Sequence, residues 1–152
     1  MTKPAKRILF ISPQPFFQWR GSPIRVAFDV QALAELGYQV DLLTLPIGEN
    51  RDIPGVRLVR VANPLKVKNI PIGPSAWKLF FDTLLYIKAR RLLKAYSYTA
   101  IHAIEDAGAF SVNLAKRAKV PLVFEKHSDP VSYKKGCIRN FIMFLYLSLI
   151  HI

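Results

Sequence analysis

The feature that most constrains this chain is a repeated alternation. Short, uninterrupted apolar runs are each followed by a segment with helical periodicity. "RILFIS" (Arg7 to Ser12) leads through a loop to "AFDVQALAELGY" (Ala27 to Tyr38), and then "QVDLLTL" runs from Gln39 to Leu45. A continuous apolar run with no polar alternation marks a strand covered on both faces, as in a parallel sheet. "VRLVRV" (Val56 to Val61) alternates instead, which predicts a third strand nearer an edge. A long helix is expected over roughly Ser75 to Tyr96, and a strand over "TAIHAIE" (Thr99 to Glu105). A small-residue helix follows from Ala107 to Lys119, then a strand from Val120 to Asp129 that runs into a loop. A last apolar helix is expected from near Gly136. Strands alternating with helices require right-handed crossovers. The expected class is α/β, a Rossmann-like parallel sheet flanked by helices.

The first helix carries its own punctuation. Ser22 reads as its N-cap and Pro23 as its first helical residue. Val26, Val30, Leu33 and Ala34 form one apolar face, Arg25 and Asp29 are spaced to pair across a turn, and Gly37 ends the helix.

Composition narrows the partners. With 152 residues, the chain has room for about one domain. Apolar residues make up 51% of it, enough to bury a core. The net charge is +12, with 22 Lys and Arg spread through the chain rather than gathered in a tail. That balance favours an anionic partner, or else is a solvated basic surface. The single cysteine, Cys137, excludes an internal disulfide and fits a reducing compartment. The N-terminal apolar run, Ile8 to Ile11, is far too short for a signal-peptide core and reads as a strand. No stretch approaches the roughly 20 apolar residues of a membrane span.

In doubly wound folds, ligands gather beyond the carboxyl ends of the strands. The loop "QWRGSPIRV" (Gln18 to Val26) lies there by topology. Gly21 can take positive φ and allow close backbone approach, and the first-turn N–H groups suit a phosphate. Ser22 either caps the helix or donates to that phosphate, and Arg25 adds charge one turn in. The loop lacks G-x-G-x-x-G, so the dinucleotide fingerprint is absent.

"ILFISPQPFFQWRGSPIRVAFDVQALAELGYQVDLLT" and "YTAIHAIEDAGAFSVNLAKRAKVPLVFEKHSDP" together resemble the N-terminal domain of a retaining glycosyltransferase of the GT-B fold, in the large family-4 group. The likeness rests on the order and spacing of a Gly-containing first loop, an "L-G" helix end, a "V-D-L-L-T" strand, an "I-H-x-x-E" strand and a "P-L-V-x-x-x-H-D"-type strand. It spans roughly residues 6 to 146. The resemblance implies a nucleotide-sugar donor as co-substrate, an acceptor hydroxyl, and no cofactor or metal. It implies that His127 is the active-site histidine near the transferred sugar. Gly21, Ser22 and Arg25 would close over the donor diphosphate, and Glu105 and Asp106 would line the acceptor pocket. Two departures stand out: Thr99 and Ala100 where the family often has Asp before "I-H", and Arg20-Gly21 where it often has Gly-Gly. The family's second domain, with most donor contacts, is not among these 152 residues. The expectation is therefore a truncated N-terminal half that does not turn over alone.

The residues also have plainer readings. His127 can be a strand-end histidine bonded to a loop, and His102, between Ile101 and Ala103, reads as structural. Glu105 and Asp106 are either a general base or acceptor ligands, or they supply charge to the next helix's N-terminus. Glu125 lies two residues before His127, on the same strand face, and could orient it. No His/Cys/Asp/Glu spacing in the sequence suggests a metal site.

The long helix carries Trp77, Phe81, Leu84, Leu92 and Tyr96 in one stripe, and Lys88, Arg90, Arg91 and Lys94 crowd its end. It is either a core helix with favourable C-terminal cations or a face for an anionic bilayer. The second use would suit a lipid-linked acceptor in cell-envelope polysaccharide or glycolipid synthesis, and a cytoplasmic protein peripheral on the inner membrane face.

Two other classes compete with the enzyme. One is a non-catalytic basic module for anionic membrane or nucleic acid. Against nucleic acid, the aromatics sit at core periodicity and no recognition helix is evident. The other is a nicotinamide oxidoreductase, disfavoured by the missing glycine fingerprint. The last six residues, "LSLIHI" (Leu147 to Ile152), match a reading frame of a sequencing adapter and are expected to be non-native, leaving a domain of residues 1–146.

Overall fold

The computed structural model describes residues 6–70 and 76–127. The expected final helix and the adapter-like tail lie outside them. Eight elements follow in order: β1 (Arg7–Ser12), α1 (Gly21–Glu35), β2 (Gln39–Thr44), β3 (Val56–Arg60), α2 (Ala76–Ala95), β4 (Ala100–Ile104), α3 (Ala107–Ala118) and β5 (Leu122–Glu125). The strands form one sheet in the order β3-β2-β1-β4-β5, and every pairing is parallel. The architecture is the α/β Rossmann-like one that the alternation predicted.

Side-chain alternation along β1 divides the core. Leu9 and Ile11 face α2 and α3, where they pack with Leu43, Ile101, Phe81, Leu85 and Leu114. Phe10 faces α1, where it packs with Leu42, Val26, Val30 and Ile104. Five of the six β1 residues are buried, as a central strand covered on both sides requires. In β3 no residue is fully buried, which agrees with its edge position.

The start of α1 corrects the sequence reading. Arg20, not Ser22, is the N-cap, and no side chain caps the helix. The first helical bond runs from the Ile24 N–H to the Arg20 carbonyl at 3.1 Å. Pro23 is thus the third helical residue. It fits because first-turn N–H groups lack helical partners anyway. Gly21 is helical and does not use positive φ; that conformation belongs to Gly37, Gly48 and Gly55. The helix end does follow the sequence. Gly37 at φ 87° lets its own N–H reach the Ala34 carbonyl and the Tyr38 N–H reach the Leu33 carbonyl.

The aromatics of the first loop are a clamp. Phe16 and Phe17 are buried, and Phe17 exchanges two backbone hydrogen bonds with Glu49 at 2.8 and 2.9 Å. A Cβ on Gly48 would collide with the Phe16 carbonyl, so the loop after β2 must have glycine there. Arg60 donates to the carbonyls of Leu45, Ile47 and Glu49, and the Arg51 guanidinium lies 4.7 Å from the centre of the Phe17 ring. Two carboxyl-edge loops are therefore fixed to each other.

Candidate functional site

Parallel pairing brings the ends of β4 and β5 together at the carboxyl edge, with Ile104 opposite Glu125. Glu105, the next residue after β4, takes a left-handed backbone at φ 49°. Its N–H donates to the Glu125 carbonyl at 2.9 Å, and its carboxylate accepts the His127 N–H at 2.9 Å. Glu105 thus fixes the backbone that carries His127.

Glu125 is the hub of the side-chain cluster. His102 Nε2 lies 3.2 Å from its Oε2, His127 Nε2 lies 3.1 Å from its Oε1, and the Arg25 guanidinium reaches the same Oε1 at 2.7 Å. Burial pushes the Glu125 carboxyl up, but His127, Arg25 and His102 together hold it below the ordinary range. For His102 burial wins: its imidazole is pushed below the usual histidine value although Glu125 favours the charged form. The His102 ring also lies 4.3 Å from that of Phe10.

Across from the hub stands Asp29 on α1. Its Oδ2 is buried without a hydrogen-bond partner. Burial raises its carboxyl, and the nearby Glu125 charge adds to that. The His127 side chain is only 5% exposed, and neither ring nitrogen has a hydrogen-bond partner. Its Nε2 lies 3.1 Å from Glu125 without hydrogen-bond alignment. Asp29, Glu125 and His127 each offer a ligand atom, and these atoms all lie within 4.8 Å of one another.

The residues singled out from sequence divide into two groups. Glu105, Glu125, His127 and Arg25 come together. Arg25 makes its ion pair with Glu125, rather than with Asp29 one turn along, because the sheet carboxylate lies against the helix face. Gly21 and Ser22 stand at the same edge, at the start of α1. Asp106 diverges: it is the N-cap residue of α3, but its side chain makes no cap hydrogen bond and pairs with Lys78 of α2 at 3.0 Å. Lys78 also bridges Asp82, and although burial opposes its charge, the two carboxylates hold its pKa above the usual lysine value. Asp106 therefore ties α2 to α3. His102 and Asp29 carry no sequence signal that assigns them to this site. The strand pairing that makes His102 a neighbour of Glu125 joins positions 23 residues apart. The helix–sheet packing behind Asp29 leaves no local signature either.

The chain matches the glycosyl transferase 4-like domain family over residues 20–151. No curated protein sequence matches it significantly. Among solved structures it is similar to the C-terminal domain of a hydrogenase from Pyrococcus furiosus, at 16% identity and a TM-score of 0.54, covering 81% of this chain and 95% of that one. A second crystal structure of that domain gives 18% identity and 0.47 over the same shares, too weak to carry an argument. At such identity the first likeness shows the α/β fold alone.

Proposed function

The chain belongs to the glycosyl transferase 4-like family, and from that premise we propose that it is the acceptor-side domain of an enzyme moving a sugar from a nucleotide-sugar donor to an acceptor hydroxyl with retention. The observation that carries the site assignment is His127. It is a buried imidazole at the carboxyl edge of a parallel sheet, with both ring nitrogens free of hydrogen bonds. A buried polar group is normally satisfied, so such a ring is suited to a ligand's hydroxyls. Glu105 holds its backbone and Glu125 its charge environment, which makes both positioning residues. An imidazole so placed can hydrogen-bond a sugar hydroxyl and stabilise charge developing at the transfer step. Arg25, with Gly21 and Ser22 at the positive end of α1, is proposed to meet the donor diphosphate by swinging away from Glu125. The reaction so proposed needs no cofactor.

Most donor contacts in this family are expected in a second domain, so residues 1–152 alone are proposed to bind glycoside without turnover. The test follows the His127 ring by NMR while alkyl hexosides and nucleotide hexoses are added to the purified chain. The His127 ring signals are expected to move on glycoside addition, and no sugar is expected to be transferred. Ring signals that stay fixed would sink the site assignment, and measurable transfer would sink the inactivity.

The acceptor is proposed to be lipid-linked. Phe81, Leu84 and Leu92 of the expected stripe pack into the core, so the apolar surface that α2 offers outward is instead Leu79, Phe80 and Ile87, with exposed Arg90, Arg91 and Lys94 further along the helix. This pairing of apolar and cationic surface suits an anionic bilayer. No described helix is long and apolar enough to cross a membrane, and the contact proposed here is a peripheral one through α2. Co-sedimentation with anionic but not neutral vesicles is expected, and equal partition or none would refute it.

A further inference from the structure

We propose that Asp29, Glu125 and His127 form a seat for a divalent transition-metal ion that ties α1 to β5. Two carboxylates and one imidazole, from elements far apart in sequence, converge with ligand atoms within 4.8 Å. Ligands about 2.0–2.2 Å from a tetrahedral Zn²⁺-class ion stand roughly 3.3–3.6 Å from one another, so a modest inward movement closes the set. The mixed nitrogen and oxygen donors favour Zn²⁺ or Co²⁺ over Mg²⁺ or Ca²⁺.

The independent indication is what the cluster leaves unsatisfied. His127 is 95% buried by side chain, and neither Nδ1 nor Nε2 has a hydrogen-bond partner; Asp29 Oδ2 is likewise buried and unpartnered. Buried polar atoms rarely stay unpaired, and here two of the three converging side chains carry them. The surroundings are those of a ligand set as well. His102 Nε2 contacts the far oxygen of Glu125 at 3.2 Å and so orients that carboxylate, as groups behind metal ligands do. Arg25 now supplies the positive charge at Glu125 Oε1, but its side chain is 59% exposed and free to rotate outward. The ion serves as a clip between helix and strand. It takes one of the two imidazole nitrogens. The seat stands on this geometry whether or not the chain transfers sugar.

Co²⁺ titration of the metal-stripped chain, with Cys137 alkylated beforehand, tests it. One equivalent of Co²⁺ is expected to give a visible d–d absorption, and Zn²⁺ to displace it and raise the Tm. Asp29→Asn, close in shape to the native side chain, and His127→Gln should each weaken binding by at least about tenfold, with circular dichroism confirming their fold. Arg25→Gln, which removes the competing cation, should tighten binding. Absence of a saturable band, equal binding by Asp29→Asn and the native chain, or an Arg25→Gln affinity no tighter than native would each overturn the seat. None of these readouts involves sugar transfer or glycoside binding.

Discussion

Two buried polar clusters sit on opposite faces of the same sheet and are handled in opposite ways. Near the amino ends of the strands, on the α2 side, Asp41 is 2% exposed yet fully engaged. Arg57 grips both its oxygens at 2.8 and 2.6 Å, and the Tyr98 hydroxyl donates to it as well. Arg57 also donates to the Tyr96 hydroxyl at 3.0 Å, and both Arg7 and Arg57 lie over the Tyr96 ring. These contacts raise the Arg57 pKa further, and burial with the Asp41 bond raises that of the Tyr98 phenol. At the carboxyl edge, on the α1 side, Asp29 Oδ2 and both ring nitrogens of His127 are buried and unpaired. The first cluster is closed upon itself and contributes to stability. The second leaves polar capacity unused, at a cost in stability, which is what the proposed site requires and a structural lock does not.

That contrast can be broken by substitution. The largest effect is expected at the closed cluster. Asp41→Asn removes the charge that Arg57 and Tyr98 share. Breaking a buried pair costs about 3–5 kcal/mol, reduced here to about 2–3 because the Arg57 side chain is 44% exposed. Urea unfolding should report that loss, and a thermal scan a fall in Tm of roughly 5–10 °C. If Asp41→Asn is silent, the lock is misidentified.

Asp29→Asn should do the reverse, leaving stability at pH 7 unchanged or raising it by up to about 1 kcal/mol. The sign follows from linkage. Asp29 has a raised folded-state pKa, so its penalty is absent below the ordinary aspartate value near ~3.9 and grows as pH rises through the folded value. The gap between variant and native chain should therefore close at pH 4. A gap that widens on acidification would mean that Asp29 is paired after all.

The smallest effect is expected at His102. Its folded-state pKa is lowered, so the native chain loses stability as pH falls below the ordinary histidine value near ~6.5. The slope is at most about 1.4 kcal/mol per pH unit for one proton. His102→Gln should flatten the native curve between pH 7 and 5.5. An unchanged slope would assign it to other groups.

Much of the fold was legible in the residues. β1 begins and ends where "RILFIS" does, and Gly37 stops α1 where its backbone freedom allows the turn. The α1 start was misread by local chemistry. Ser-Pro looks like cap and first residue, but the helix starts a residue ahead of Ser22 because Pro23 is tolerated anywhere in the first turn. Half of the candidate site was legible too, since Glu125 and His127 share a strand face by simple alternation. Asp29 and His102 were not, because their roles depend on which elements pack together.

The sequence by itself determined the alternation of strands and helices, the two-sided burial of β1 and the placing of Glu105 and His127 just past strand ends. Apolar periodicity and glycine chemistry are local properties, so they can be read from neighbours in the chain. Only the tertiary structure decided that Arg25 leaves Asp29 for Glu125, that Asp106 serves α2 rather than the carboxyl-edge site, and that buried imidazole and carboxylate atoms converge unpaired. Those outcomes depend on the order β1-β4-β5 and on α1 covering that face. Desolvation and charge pairing act through space, between residues the chain itself keeps about a hundred positions apart.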